Sequence, residues 1–323
     1  MKRLLIFSLA LSLSVPLYAG DIAWPGNKPL KLIVPFPAGG GADIIARTVS
    51  EELSKNIGQK IIVENRAGAG GSLGTQWALR EKNDGNTLIY VTNGTLCTNP
   101  TLYPKVGYDV NHDIEPVARL TDITLVMAVN PKRVAVKSFS EFLDQAAKST
   151  ERFTFSSAGN GTTSHLAGVL LGQQTGIAFE HIPYRGGAAS MTDLLAGRID
   201  FTIDVAPNVL PHVEASRLLA LGSGSKSIKG AELTIEPLKK QGLKDYELFA
   251  WDGIAVKKGT PKVIVKKLSE AIEKTLANER VRQSLLARGA EPVKSSPEEF
   301  ARFLQSEQKK WAELVKNSQT SLD

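Results

Sequence analysis

Leu30-Lys31-Leu32-Ile33-Val34-Pro35-Phe36-Pro37-Ala38-Gly39-Gly40-Gly41-Ala42-Asp43 decides how this chain is read. The apolar, β-branched run Leu30–Pro35 reads as a strand, and an amphipathic pattern from Asp43 to Ile57 reads as a helix. Between them, three consecutive glycines free the backbone for positive φ and leave amides unshielded by side chains. The first amides of a helix have no intrahelical partner and carry partial positive charge. A strand that hands over to a helix through glycines is therefore a ready seat for an anion. A tight turn without a ligand is the plain alternative, although one glycine would suffice for that.

A second handover has the same form. Ser156-Ser157-Ala158-Gly159-Asn160-Gly161-Thr162-Thr163-Ser164-His165 follows the strand Arg152–Ser156 and opens the helix Thr162–Thr175. Its hydroxyls can donate to a carboxylate without adding fixed charge. Taken alone it is equally a serine- and threonine-rich helix entry; two such junctions, far apart in sequence, are what argue for binding. Further strands are expected at Lys60–Glu64, Thr87–Val91, Leu125–Asn130, Ala178–Pro183, Ile199–Asp204, Leu218–Leu221 and Glu247–Val256. Helical stretches such as Leu73–Glu81, Glu141–Lys148 and Ala188–Ala196 lie between them. This alternation predicts an α/β fold of mostly parallel sheets flanked by helices. The 323 residues suffice for two domains at roughly 150 residues each. Ser138-Phe139-Ser140-Glu141 and Ser296-Pro297-Glu298-Glu299 read as capping boxes. The stripe Phe300, Phe303, Leu304, Trp311, Leu314, Val315 of the last helix reads as core.

Other polar residues sit at strand ends, where open α/β sheets collect ligands. Asp43 can cap its own helix or accept from a ligand. Asp204 ends a strand, and Thr92-Asn93-Gly94-Thr95 places Asn93 and Thr95 at another. In Tyr184-Arg185-Gly186-Gly187, Arg185 could pair an anion bidentately or form a surface ion pair. Phe36 could stack on a ligand body or belong to the core, and His165 lacks an acidic partner fixed by spacing.

Several chemistries are excluded. One cysteine, Cys97, permits no intramolecular disulfide or cysteine-rich metal site, and four histidines without i, i+4 spacing offer no helical zinc site. Gly-Lys is absent, so there is no Walker loop, and Gly68-Ala69-Gly70 has Leu73 where a dinucleotide fingerprint needs its third glycine. Gly70-Gly71-Ser72-Leu73-Gly74 fits the G-x-S-x-G of a serine esterase, but the strand-like Ile61–Glu64 ends well before Ser72, whereas a nucleophile elbow follows its strand directly. No cofactor is called for. Lys2-Arg3, the apolar run Leu4–Leu17 and Tyr18-Ala19-Gly20 have the form of a secretory signal peptide over residues 1–19, with no cysteine at the junction for lipidation. Its removal lowers the formal charge from +6 to +4, 37 basic against 33 acidic residues, too balanced to argue for nucleic acid.

PFPAGGGAD (Pro35–Asp43), VENRAGAGGSLG (Val63–Gly74), SSAGNGTTSHLAG (Ser156–Gly168) and IPYRGGAASMTDLLAGRIDF (Ile182–Phe201) stand in order and spacing, followed by Trp251-Asp252-Gly253-Ile254 and Gly259-Thr260-Pro261. Together they resemble the Bug (Bordetella uptake gene) receptors of tripartite tricarboxylate transporters, across essentially the whole mature chain. Ser223–Asp245 departs from that pattern, with Lys226-Ser227-Ile228-Lys229-Gly230 in place of the usual arginine and proline-rich stretch. The resemblance implies a two-lobed periplasmic binding protein fold of type II. Its lobes would be residues 20–124 with 246–323, and residues 125–245, hinged near Ile123–Leu125 and Tyr246–Phe249. It further implies a monomeric periplasmic receptor that captures a di- or tricarboxylate, an acidic amino acid or an aromatic acid for a two-subunit membrane permease. A sensory receptor with the same cleft would feed a signalling kinase instead. By motif, the implied seats are Phe36, Ala38, Gly39, Gly40 and Asp43 in one lobe, and Ser156, Gly159, Gly161, Thr162, His165 and Asp204 in the other.

Overall fold

The computed structural model describes residues 24–103, 105–229 and 233–317, so the stretch expected to be a signal peptide, residues 1–19, lies outside the described residues. The strands are β1 (Leu30–Val34), β2 (Ile61–Asn65), β3 (Thr87–Thr92), β4 (Ile114–Val129), β5 (Thr154–Ser157), β6 (Glu180–Pro183), β7 (Phe201–Val205), β8 (Leu219–Ser223), β9 (Ile228–Lys229), β10 (Thr234–Ile235), β11 (Phe249–Lys257) and β12 (Ala290–Pro292). All but the β9–β10 hairpin join one curled sheet in the order β2-β1-β3-β11-β4-β7-β5-β6, with β8 and β12 also paired to β4. Its two outer blocks are parallel, β2-β1-β3 and β6-β5-β7, while the central pairings through β11 and β4 are antiparallel. The fold class expected from the sequence is thus present, with the parallel character confined to those blocks.

β4 organises the molecule. Its first stretch pairs with β11 as far as Thr124, opposite Phe249, and its second pairs with β7 from Leu125, opposite Val205. The sequence reading finds only the second stretch, because Glu115, Pro116, Arg119 and Asp122 interrupt the apolar run. Pro116 is tolerated because it faces Ala255 at a register shift in the ladder, where a missing amide costs least. One strand therefore runs through both halves of the sheet.

Each half has its own packing. In the first, the indoles of Trp251 and Trp311 both donate to the buried Glu307, at 2.9 and 2.7 Å, and Trp251 meets Phe300 and Phe303 edge-on. In the second, Phe201 on β7 packs against Phe142, Phe155 and Phe179 with ring centroids 4.9–5.7 Å apart. The Ser296 capping box forms with both bonds, Ser296 accepting from the Glu299 amide at 3.1 Å and Glu299 from the Ser296 amide at 2.7 Å. At Ser138 the serine accepts from the Glu141 amide at 3.2 Å, but Glu141 reaches one residue further back, to the Lys137 amide at 2.8 Å. Phe201→Ala would open a cavity in the aromatic cluster. A loss of about 3–5 kcal/mol is expected, checked by the denaturant midpoint, and a loss below about 1 kcal/mol would show that the cluster does not hold this half together.

Candidate functional site

A cleft opens where β4 changes partners. Ile123, Ala250, Trp251 and Asp252 form its floor with Tyr90; Phe36–Pro37, Gly40–Ala42 and Thr92–Gly94 form one wall, and Ala158, Thr162–Ser164, Gly187–Ala188, Asp204–Val205 and Asn208 the other. It encloses about 680 Å³, part of it open to solvent.

Three helix starts converge there. Gly41–Ile57, Thr163–Thr175 and Gly187–Leu195 begin at Gly40, Thr162 and Gly186, and none has a side-chain cap. A fourth uncapped start, at Val205, also borders the cleft, but Pro207 removes one of its amides. Away from the cleft, the helices at Ser138 and Asn278 are capped and those at Gly71 and Pro261 are not. The first-turn amides of Gly41–Ala42, Thr163–Ser164 and Gly187–Ala188 are thus left to whatever occupies the cleft. Each terminus presents about half a positive charge. No Lys, Arg or His lies among the lining residues, so attraction for an anion comes from main-chain dipoles.

The expected site residues separate into two sets. Phe36, Gly40, Asn93, Thr162 and Asp204 line the cleft. The others do not, and most are occupied in shaping it. Asp43 is buried behind the first loop, accepting from the Gly39 amide (2.9 Å), Arg47 Nε (2.9 Å) and Asn65 Nδ2 (2.9 Å). These bonds outweigh its burial and hold the carboxyl below the usual range. Ala38 and Gly39 lie on the exposed side of that loop. Thr95 pins the Thr92 turn, its hydroxyl accepting from the Thr92 amide at 3.0 Å and donating to the Thr92 carbonyl at 3.1 Å. Ser156 accepts from Ser190 at 2.7 Å, tying β5 to the Gly187–Leu195 helix. The Gly159 carbonyl accepts from the Thr162 hydroxyl at 2.6 Å. His165 accepts from the Gly161 amide at 3.3 Å and stacks on His181 with centroids 4.1 Å apart. Tyr184 donates to Asp193 at 2.7 Å, and Arg185 is exposed, outside the lining.

Sequence reading overlooked the Gly186-Gly187 helix start, although it repeats the strand–glycine–helix pattern; Arg185 beside it drew the reading toward side-chain charge. It also overlooked Asn208, whose Nδ2 donates to Asp204 Oδ2 at 2.8 Å. Burial raises the Asp204 carboxyl, partly offset by that bond and the Val205 amide. Ser72 begins a helix after the turn Ala69–Gly71, and its hydroxyl accepts from Asn99 at 2.9 Å. This is not a nucleophile elbow.

The two walls touch. Asn93 Nδ2 donates to Thr163 Oγ1 at 2.7 Å, and the Tyr103 hydroxyl to the Asn160 carbonyl at 3.1 Å. Gly161 has φ +79°, and a Cβ there would stand 2.5 Å from Asn99 Oδ1 across the divide.

The Tripartite tricarboxylate transporter family receptor model matches residues 45–319. The chain belongs to that family. It is 33% identical over 291 residues to a UPF0065 protein in the tcbD-tcbE intergenic region of Pseudomonas sp. (strain P51), covering 90% of this chain and 86% of that one. Protein BugT of Bordetella pertussis is 31% identical over 296 residues, covering 91% and 90%. Among solved structures, R. palustris Rpa4515 with adipate superposes with a TM-score of 0.87 at 29% identity, covering 91% of this chain and 98% of that one. MatC of Rhodopseudomonas palustris with bound malate superposes with a TM-score of 0.83 at 28% identity, covering 89% of this chain and 98% of that one. The family is that of a transporter's receptors, and a further solved neighbour, BugD, is a periplasmic binding protein; the chain is a solute receptor, and the esterase alternative finds no support.

Gly161→Val would hold the walls apart while each half folds, so the radius of gyration by small-angle scattering should exceed that of the wild type; an unchanged radius would show that the Asn99–Gly161 approach does not govern closure. Burial lowers His165 to about 4 and His181 to about 3. Below pH about 6.5 the unfolded chain therefore binds protons that the folded chain refuses. Stability present above that pH should decline toward pH 4, and a His165→Gln/His181→Gln variant should show a flatter melting profile; an equal slope would place the acid sensitivity elsewhere.

Proposed function

We propose that the cleft captures a small carboxylate, a di- or tricarboxylate, acidic amino acid or aromatic acid, and holds it chiefly through main-chain amides. The observation that carries this is the convergence of three uncapped helix starts on a cleft whose lining has no basic side chain. Adipate and malate in the two neighbours favour the same ligand class. Of the expected contacts, Phe36, Gly40, Asn93, Thr162 and Asp204 line the cleft and on this reading would meet the ligand, while Asp43, Thr95, Ser156 and His165 would fix the loops around it.

On this reading the chain works as two lobes, residues 20–124 with 246–323 and residues 125–245, which turn about the partner change at Thr124/Leu125 and the segment Tyr246–Phe249. An anion touching amides of both lobes favours the closed form, and a ligand shifts the equilibrium by its difference in affinity between the two forms. The closed, monomeric receptor is what a large and a small permease subunit would recognise in the periplasm, after a leader ending at Ala19 is removed.

A thermal-shift panel of mono-, di- and tricarboxylates, amino acids and aromatic acids tests the reading. A ligand at a hundred times its Kd should add about 2.7 kcal/mol of stability, a shift of several degrees. Gly187→Val should abolish the shift, because its Cβ would stand 2.0 Å from Asn208 Nδ2 and 2.8 Å from Asp204 Oδ2. No shift with any acid, or an undiminished shift in the variant, would remove this cleft as the site.

A further inference from the structure

Beneath the three helix starts lies a group that the amide seats do not use. Asp252 on β11 faces the cleft and is fully buried. One carboxyl oxygen accepts from the Tyr90 hydroxyl on β3; the other accepts from the Thr121 hydroxyl (2.7 Å) and amide (3.1 Å) on β4. Tyr90 is equally buried and also lines the cleft. Its hydroxyl hydrogen is therefore directed at an aspartate, not at the space where a ligand would sit. Asp252 belongs to the Trp251-Asp252-Gly253-Ile254 motif, for which the seats alone give no use.

We propose that Tyr90 is a ligand-binding hydroxyl switched by Asp252, so that capture of an anion takes up one proton. With Asp252 ionised, the phenol hydrogen is held by the carboxylate. When a proton from solvent reaches the Asp252 oxygen facing Tyr90, that O–H donates to the phenol oxygen, and the phenol hydrogen turns to the ligand carboxylate. The hydrogen-bond count is kept, one anion is removed from the floor and one donor is added.

The charge inventory of the cleft favours this. Its lining holds two carboxyl groups, Asp252 and Asp204, and no basic side chain. An incoming anion would otherwise be buried beside like charges. Burial lifts the Asp252 carboxyl to about 7, against the lowering effect of its Thr121 and Tyr90 bonds, and the charge of Asp122 on β4 raises it further. Asp122 is itself paired with Arg119, and Asp43, in the first helix beyond Tyr90, with Arg47. Glu307 of the last helix receives the indole of Trp251 beside it. Asp204 faces the same space from the opposite wall, so the test must separate it from Asp252.

This inference rests on the carboxylate reading above. Adipate, both of whose carboxyls are already ionised near neutral pH, is titrated by calorimetry in pairs of cationic buffers of different ionisation heat, triethanolamine and Tris at about pH 8 and bis-Tris and imidazole at about pH 6, which reveal proton uptake without a competing anion. Wild type should take up close to one proton per adipate at about pH 8 and close to none at about pH 6. Its Kd should rise roughly tenfold per unit above pH 7. Asp252→Asn, whose amide donates to Tyr90 as the protonated acid would, should bind roughly tenfold tighter than wild type at about pH 8 without proton uptake. A merely structural Asp252 would give weaker binding instead. Tyr90→Phe should bind several-fold more weakly at about pH 6. Absence of proton uptake by wild type overturns the proposal whether or not the variants fold. Uptake that persists in Asp252→Asn overturns it too and moves the proton to Asp204. If no acid of the thermal-shift panel binds, including adipate, the carboxylate reading falls, and the coupling with it.

Discussion

Main-chain amides with no partner in their own helix are what the rest of this structure is arranged around. A helix start left uncapped in a buried place is unfavourable unless something else accepts its hydrogen bonds. Three such starts meet here, at Gly41, Thr163 and Gly187, in a cleft bounded by both halves of the sheet. Their dipoles provide positive potential without a lysine or arginine, which suits reversible capture: the attraction is shared among many weak donors and is strong only where all of them reach the same anion.

The surrounding side chains hold that arrangement in place. Asp43 fastens the first loop to Asn65 and Arg47; Ser156 and Ser190 fasten the second to the third; the Thr95 hydroxyl sets the turn that presents Asn93. β4 supplies the connection, one continuous strand whose partners change from β11 to β7 between Thr124 and Leu125. On the proposed two-lobe reading, rotation about that point would bring the seats together or part them, with Asn93–Thr163 and Tyr103–Asn160 as the contacts between the two walls.

Much of this is legible in the sequence because it is local. Strand, glycines and helix follow one another in the chain, so the first two uncapped helix starts and the serine caps at Ser138 and Ser296 can be read directly. The third seat was equally written in Gly186-Gly187 and was hidden by the neighbouring Arg185, which the fold leaves on the surface. Residue type also misleads: Ser156, His165 and Tyr184 carry groups that suit a ligand, yet each is taken by a protein partner. Asp252 could not be placed from sequence, since its meaning depends on β3, β11 and β4 lying side by side, contacts between residues 90, 121 and 252. The early part of β4 was hidden for a similar reason, its charged and proline residues being accommodated by a partner strand far along the chain.

The most direct measurement is the amide proton and nitrogen chemical shift of Ala42, Ser164 and Ala188 during titration with a bound carboxylate. All three amide protons should move downfield together, in one saturable transition, as each donates to the same anion. Shifts confined to one wall of the cleft, or largest at residues outside it, would contradict it.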